Sequence, residues 1–154
     1  MKKKALVTGG SGFIGINLIN ALLKENYDVI NIDIANSLNK NHTHLLRKAN
    51  INNHLELEHI ITEFKPEIVF HLAARTDLNS QVISDYKTNF EGTQNLIRII
   101  NNITEIKNVI YFSSMLVCKS GYKPSSDDDY NPDTTYGESK VLMEQLIRLS
   151  LIHI

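Results

Sequence analysis

Thr8-Gly9-Gly10-Ser11-Gly12-Phe13-Ile14-Gly15 lies between a short apolar run, Ala5 to Val7, and a segment with a helical hydrophobic period. In a strand, turn and helix of this kind, Gly9 permits a tight turn, Gly12 lets a phosphate approach the backbone, and Gly15 lets the helix pack closely on the strand. The free N–H groups and the positive dipole at the start of the helix favour an anion there. The stretch therefore predicts a dinucleotide pyrophosphate at this point, with an ordinary glycine-rich turn as the alternative.

Apolar runs and segments of helical period alternate along the rest of the chain. The runs are nearly continuous, as expected of strands that are covered on both faces of a parallel sheet. They are Ala5 to Val7, Val29 to Ile32, a weaker run from Leu45 to Ile51, Ile68 to Leu72, and Val109 to Phe112. Because right-handed crossover connections leave few other arrangements, the pattern predicts an α/β fold, a doubly wound parallel sheet of five strands between two layers of helices.

Two longer segments, Asn36 to Thr43 and Lys119 to Thr135, are predicted to be loops. The second is rich in glycine, proline, serine and aspartate, which disfavour regular structure. Its three consecutive aspartates, Asp127 to Asp129, are typical of solvated carboxylates, and we expect no metal site there. The last helix is expected to run from about Tyr136 to the final residue without a glycine cap, so we expect the chain to end within the architecture.

The composition excludes several classes of function. The chain has 154 residues, of which 42% are hydrophobic, enough for one domain with its own core. Sixteen basic residues are scattered among seventeen acidic ones, which leaves no basic patch for nucleic acid. Cys118 is the only cysteine, and no apolar stretch is long enough for a signal peptide or a membrane span. We expect a small-molecule partner, no membrane association and a cytoplasmic location.

Asp33 ends the second apolar run. An acidic side chain at this point of a dinucleotide-binding fold can accept hydrogen bonds from both hydroxyls of the adenosine ribose, and it repels a 2′-phosphate. The sequence therefore favours NAD over NADP, with a plain turn aspartate as the alternative.

Tyr136 and Lys140 are four positions apart on the last predicted helix, so they share one face. A lysine ammonium one turn away stabilises the phenolate form of a tyrosine, which can then act as a base. The pair alone is weak support for this chemistry, but Ser114 also follows an apolar strand and could hydrogen-bond a reacting oxygen. An exposed helical tyrosine is the alternative.

These residues belong to a set of motifs in a fixed order. The other members are His71-Leu72-Ala73-Ala74, Asn89-Phe90-Glu91-Gly92-Thr93, Ser113-Ser114 and Tyr136-Gly137-Glu138-Ser139-Lys140. In order and spacing the set resembles the extended short-chain dehydrogenases, specifically the NAD-dependent sugar-nucleotide epimerase/dehydratase family. The resemblance spans nearly the whole chain but only the first half of a typical member. It implies that residues 1–154 are an incomplete NAD-binding Rossmann domain without the C-terminal substrate-binding part.

The resemblance also assigns cofactor contacts. Phe13 and Ile14 would offer backbone donors to the pyrophosphate beside the glycines. Asn50 and Ile51 would contact the adenine, although the family usually has an aspartate at the first of these positions. An asparagine there brings no charge but can still accept a hydrogen bond through its amide oxygen.

Further along the chain, Leu72, Ala73 and Ala74 would line the cofactor after the fourth strand, and Asn89 would brace the active-site loops from within a helix. In the family mechanism Tyr136 takes the proton from a sugar hydroxyl while a hydride passes to the nicotinamide. There Lys140 also holds the nicotinamide ribose, and Ser114 hydrogen-bonds the reacting oxygen. His71 is expected to be a packing residue at a strand end rather than an acid or base.

The resemblance implies an NAD-dependent nucleotide-sugar epimerase or a related sugar-nucleotide oxidoreductase, with a UDP-sugar as the expected substrate. Met115 and Leu116 stand where dehydrating relatives carry an acidic pair, which favours epimerisation or oxidation over the elimination of water. A non-catalytic NAD-binding module, an inactive remnant of a truncated enzyme, and a small carbonyl reductase remain alternatives. In the family, helices that begin near Ser84 and Tyr136 would form a homodimer.

Overall fold

The chain folds around a single parallel sheet in the structure, a computed structural model that describes residues 2–151. The five strands are β1 (Lys4–Thr8), β2 (Asp28–Asp33), β3 (Leu46–Lys48), β4 (Ile68–His71) and β5 (Asn108–Tyr111). The helices are α1 (Phe13–Lys24), α2 (His54–Phe64), α3 (Lys87–Ile100) and α4 (Thr135–Leu151), and short 3₁₀ helices cover Lys40–Leu45, Ile83–Tyr86 and Met115–Val117. The strand order is β3-β2-β1-β4-β5, which confirms the predicted fold class.

The order of the strands reverses beside β1. From β1 the chain goes outward on one side to β2 and β3, and it then returns to the other side of β1 to form β4 and β5. The loops after β1 and β4 therefore diverge and leave a crevice at the carboxyl ends of the strands, where open α/β sheets bind their ligands.

Hydrophobic clusters cover both faces of the sheet. On one face Leu6 and Val69 pack against Leu57 of α2 and Leu96 of α3. On the other face Ala5 and Val7 pack against α1, chiefly through Ile19 and Leu22. Successive residues of β1 thus face opposite layers, which explains why the run is apolar throughout. Because both clusters pack helices firmly on the sheet, the elements that border the crevice are held in fixed positions.

Two sequence-based boundaries are wrong. The strand expected over Leu45 to Ile51 is confined to Leu46–Lys48, because Leu45 ends a 3₁₀ helix and Asn50 starts a turn in which its Oδ1 accepts the N–H of Asn52. The loop expected over Asn36 to Thr43 includes the start of that 3₁₀ helix, whose first turn is capped by the side chain of Asn39. The last three residues of the predicted final helix lie outside the described residues.

The segment Lys119 to Thr135 is irregular until α4 begins at its end. The carboxylate of Asp129 accepts hydrogen bonds from the N–H and hydroxyl of Ser125 and from the phenol of Tyr122, so it stabilises the loop itself. Over residues 2–151 the side chains bring together no group of three or more metal-ligating residues. None of the helices within this range is long and apolar enough to cross a membrane.

Candidate functional site

A cavity of about 960 Å³ lies at the carboxyl edge of the sheet. Its volume is at the upper end of the range for small-molecule and cofactor sites. It brings together nearly all of the predicted cofactor and catalytic residues, namely Gly9, Gly12, Phe13, Ile14, Gly15, Asp33, Asn50, Ile51, Leu72, Ala73, Ala74, Tyr136 and Lys140. Ser114 and Asn89 do not line it. Residues far apart in the sequence therefore meet around one space.

The glycine turn is fastened to the end of β2. The N–H of Gly10 donates to Asn31 Oδ1 at 2.9 Å, and the N–H of Ser11 donates to Asp33 Oδ2 at 3.0 Å. Asn31 is fully buried and also donates from Nδ2 to the Ser11 hydroxyl at 3.1 Å. Two polar side chains of one strand thus fix the shape of the turn before any ligand binds.

The three spaced glycines differ in what their surroundings require. Gly9 has a φ of +73°, and a Cβ there would lie 2.6 Å from the backbone nitrogen of Ala73. A Cβ on Gly15 would lie 2.4 Å from the Cα of Gly10. A Cβ on Gly12, by contrast, would meet nothing closer than the carbonyl oxygen of Gly9 at 3.6 Å, an ordinary contact. The fold therefore requires glycine at Gly9 and Gly15 but not at Gly12.

No side chain of the helix itself caps the first N–H groups of α1, so an anion could bind them without displacing one. Gly12 is the N-cap residue and has no side chain to accept a hydrogen bond, and the first turn contains no acidic residue. The first N–H groups of a helix lack intrahelical acceptors and carry the positive end of its dipole. Phe13 is 86% exposed beside them. The geometry fits a pyrophosphate at this place, with Gly12 leaving room for it.

Asp33 keeps acceptor capacity towards the cavity. Its Oδ2 accepts the N–H of Ser11, and its Oδ1 accepts the N–H of Ala35 at 2.9 Å. A carboxylate has about four acceptor sites, so each oxygen can accept one more hydrogen bond from a ribose hydroxyl. The cations that line the cavity are Arg75 and Lys140. The guanidinium of Arg75 is engaged at 2.7 Å by Asp77, which leaves it unsuited to neutralise a 2′-phosphate beside Asp33.

Tyr136 and Lys140 are placed by α4 at the opposite end of the lining. Tyr136 is 8% exposed, and Lys140 is 4% exposed. Lys140 Nζ donates to the carbonyl oxygen of Phe112 at 3.0 Å. Burial lowers the pKa of Lys140 from 10.5 to about 8, while the nearby carboxylate of Glu144 opposes that change. The ammonium is thus held in a poorly solvated position, where it interacts strongly with any polar group of a ligand.

This burial has a measurable cost to stability. In the unfolded chain Lys140 keeps its ordinary pKa, so between about pH 8 and 10.5 the unfolded state binds more protons than the folded state. The free energy of unfolding should therefore rise with pH across this window, by about 3 kcal/mol for this residue. We expect Lys140→Met to stabilise the chain by about 2 kcal/mol at pH 7, after allowing for the lost hydrogen bond. At pH 10.5 the advantage should vanish, and urea unfolding at both pH values measures it. Equal stabilities of the two proteins at pH 7 would contradict the expectation.

The two predicted residues outside the lining have defined positions. Ser114 is the N-cap of the 3₁₀ helix after β5, where its Oγ accepts the N–H of Leu116 at 3.2 Å. At this end of the cavity the lining includes its neighbour Ser113, whose hydroxyl donates to Glu144. Asn89 is fully buried in α3 and forms hydrogen bonds with both backbone groups of Arg75 in the loop after β4. The roles of Ser114 and Asn89 towards a ligand remain predictions.

Several residues of the site were missed at the sequence level. The sequence pattern places Asn31 inside an apolar strand, although a polar residue within such a run is itself a sign of a buried hydrogen bond. Ile34 and Leu38, which are 66% and 86% exposed, line the cavity next to Asp33 and form an apolar rim there. Nothing in their local pattern indicates this rim, because it depends on the path of the loop after β2.

Comparisons with known proteins identify the family to which this chain belongs. Residues 5–150 match the model of a family described as the NAD dependent epimerase/dehydratase family. Among curated proteins, D-erythronate dehydrogenase of Haemophilus influenzae is 33% identical over 94% of this chain and 49% of its own length. A putative UDP-glucose 4-epimerase of Methanocaldococcus jannaschii is 32% identical over 94% and 50%. The chain thus spans about half the length of the curated relatives it matches.

A solved structure of a 4-epimerase has a similar fold. UDP-glucose 4-epimerase of Thermotoga maritima, crystallised with UDP-glucose, superposes with a TM-score of 0.84 at 26% identity. The superposition covers 97% of this chain and 51% of that one.

Proposed function

We propose a function from one premise, that this chain belongs to the NAD-dependent epimerase/dehydratase family. Residues 1–154 form an NAD-binding domain, and the activity that they serve is the reversible oxidation of a nucleotide sugar, with epimerisation as the reaction. The observation that carries the proposal is Gly12, a glycine that the fold does not require and that borders the free N–H groups of α1. A ligand phosphate bound at that point would explain why this position is a glycine.

In this proposal the two ends of the cavity bind different parts of NAD. The first turn of α1 would hold the pyrophosphate, and Asp33 would accept hydrogen bonds from the hydroxyls of the adenosine ribose. The apolar rim formed by Ile34 and Leu38 packs against the adenosine. Lys140 donates to the nicotinamide ribose from its buried position. When bound, NAD supplies an acceptor for a hydride.

At the other end of the cavity, Tyr136 accepts the proton of a substrate hydroxyl at its phenol oxygen as the carbon of that hydroxyl is oxidised. Lys140 lies one helical turn from Tyr136 on α4, so its buried ammonium would stabilise negative charge that develops on the phenol oxygen during this step. Ser114 lies beside the lining residue Ser113, and its Oγ accepts the N–H of Leu116, so its hydroxyl proton would be available to the reacting oxygen if the substrate extends past Ser113. A transfer in the reverse direction returns the proton from Tyr136.

The substrate that we propose is a UDP-sugar. Two of the relatives named above carry UDP-glucose in their names, and the Thermotoga structure contains it. Met115, which is 87% exposed beside Ser114, stands where dehydrating relatives carry an acidic residue, and this favours epimerisation over the elimination of water. The similarity to D-erythronate dehydrogenase supports a second candidate, the oxidation of a sugar acid without a nucleotide.

We also propose that two copies pair through α3 and α4. A shallow groove of about 400 Å³ runs between these helices on the face away from the sheet, and it is lined by Phe90, Glu91, Gln94, Leu142, Gln145, Leu146 and Leu149. Leu149 is 57% exposed there. An apolar helix face with partly exposed leucines fits the more apolar surface that homodimer interfaces bury.

Binding and turnover test the proposal separately. Calorimetry on the chain should show NAD binding at micromolar to millimolar concentrations, with NADP at least about tenfold weaker because Asp33 repels its 2′-phosphate. Asp33→Asn should narrow this ratio, whereas Asp28→Asn, an exposed aspartate on the same strand, should leave it unchanged. No binding of either dinucleotide at millimolar concentration would remove the proposal.

Turnover is assayed with UDP-hexoses and with sugar acids, using this chain and any longer protein that contains it. Inversion at one carbon of a UDP-hexose, without net formation of NADH, would support the epimerase. Stoichiometric NADH formation from a sugar acid would favour the second candidate. NAD binding without turnover of either class would indicate the non-catalytic alternative.

A further inference from the structure

A line of polar side chains crosses the interior from β1 to α4. Its members are almost fully buried, yet they neither line the cavity nor reach solvent: Thr8, His71, Thr93, Asn89 and Ser139. Burying such groups is costly unless each is hydrogen-bonded. Consecutive members of the line are in fact bonded to one another. A set of polar groups retained inside an otherwise apolar core calls for a role beyond packing.

The direction of the hydrogen bonds is fixed at the β1 end. The hydroxyl of Thr93 donates to the carbonyl oxygen of Asn89 at 2.8 Å, so at 2.9 Å it accepts from His71 Nε2. His71 is therefore the Nε2–H tautomer, and its Nδ1 accepts the hydroxyl proton of Thr8 at 2.7 Å. Burial, with a smaller effect of the Lys140 ammonium, lowers the pKa of His71 to about 3. The ring stays neutral at physiological pH and cannot reverse these bonds.

Asn89 is the junction of the line. Its Oδ1 accepts the N–H of Arg75 at 2.8 Å, and its Nδ2 donates to the carbonyl oxygen of Arg75 at 3.0 Å. The same Nδ2 donates to Ser139 Oγ at 2.8 Å. The Ser139 hydroxyl in turn donates to the carbonyl oxygen of Tyr136 at 2.6 Å. One buried amide thus joins the loop after β4 to the first turn of α4.

We propose that Ser139, supported by His71, Thr93 and Asn89, is a positioning residue that fixes the first turn of α4 relative to the glycine turn. Ser139 lies between Tyr136 and Lys140 in sequence but faces α3, so it touches neither the cavity nor a ligand. It acts on them through the bond to Asn89. The inference rests on the proposed function, because it concerns how the nicotinamide end of the cavity is held.

The test compares two ligands of different reach. In the proposed binding mode ADP would contact only the end of the cavity formed by α1 and Asp33, whereas NADH would also reach Tyr136 and Lys140. We expect Ser139→Ala to raise the Kd of NADH about tenfold and to leave the Kd of ADP within about twofold, since one shifted turn affects only the far end. The emission spectrum of bound NADH should also shift, because it reports the surroundings of the nicotinamide.

Matched variants separate positioning from general destabilisation. Ser150 donates to the carbonyl oxygen of Ile147 with the same spacing as Ser139 to Tyr136, but no α3 side chain is bonded to it, so Ser150→Ala should change neither affinity. Thr93→Val, which removes the hydroxyl at nearly constant volume, should reproduce the effect of Ser139→Ala, and Thr93→Ser should restore the wild-type ratio of the two Kd values.

The affinities of the wild-type chain and its variants for ADP and NADH test both the positioning role and the proposed function. Equal losses of ADP and NADH affinity in Ser139→Ala, or no loss of either, would overturn the positioning role. A wild-type chain that binds neither ADP nor NADH would overturn the proposed function and this inference with it. A wild-type chain that binds both, with a selective loss in Ser139→Ala and Thr93→Val alone, supports both.

Discussion

Gly12→Ala is expected to leave the chain folded and to weaken NAD binding by at least about a hundredfold, the largest separation of stability from binding that this site offers. The new methyl group would meet only the carbonyl oxygen of Gly9 at 3.6 Å, and the φ of Gly12, −76°, suits any residue. The same methyl group would occupy the space in front of the first N–H groups of α1. A phosphate would then lose its close contact with the backbone.

Gly15→Ala is the matched control, because it adds the same methyl group three residues further along the chain, where the surroundings leave no room for it. There it would lie 2.4 Å from the Cα of Gly10, so the turn must move or the helix must shift. We expect a loss of about 3 kcal/mol or more, equivalent to a fall in melting temperature of roughly 6 to 12 °C for a domain of this size. Circular dichroism melts and calorimetry with NAD measure both effects. Normal NAD affinity in a folded Gly12→Ala chain would place the pyrophosphate elsewhere.

The fold was predictable because the strands are covered on both faces. Val29 to Ile32 and Ile68 to Leu72 are nearly continuous apolar runs, and the structure places strands in both. The weaker run was misjudged in extent, since Ala49 and Ile51 are buried by the core without belonging to a strand. Burial outside regular structure produces the same apolar pattern as a strand, so the sequence alone does not separate them.

The candidate site was predictable where a motif is local and hidden where it depends on tertiary packing. The glycine turn and the pair Tyr136 and Lys140 each lie within one element boundary, so spacing sufficed to find them. Asn31 and Ser139 act through partners more than twenty positions away in sequence. No local spacing rule reports such bonds, and they become visible only when the elements are assembled.

Hydrogen bonds connect the buried line of polar groups to the glycine turn that borders the cavity. The glycine turn is fixed by Asn31 and Asp33 of β2 and, through Thr8, it is tied to His71 of β4. Thr8 Oγ also accepts the N–H of Ala73, against whose backbone Gly9 packs. We therefore expect a shared scaffold to hold the glycine turn and the first turn of α4 before a ligand binds, which would lower the cost of ordering them on binding.

Tyr136→Phe is expected to lower kcat by about 10² to 10⁴, the usual contribution of a positioned acid or base, and to leave the affinity for NAD within about twofold. The phenol oxygen carries the proposed proton transfer, whereas the ring carries the packing. The ring lies 6.2 Å from that of Tyr86, and a phenylalanine keeps this contact. The melting temperature should therefore change little. Steady-state turnover of whichever of the two proposed substrate classes is converted, with calorimetry for NAD, measures the two quantities.

Tyr122→Phe provides the matched control. It removes a phenol that donates to Asp129 in the loop before α4, outside the lining of the cavity, so kcat should stay at the wild-type value. The contrast between the two variants isolates proton transfer from the general effect of losing a tyrosine hydroxyl. Should Tyr136→Phe retain full turnover, another group must take the substrate proton. In the described part of the chain, the first candidate would be the hydroxyl of Ser113, which lines the cavity and is bonded to the carboxylate of Glu144.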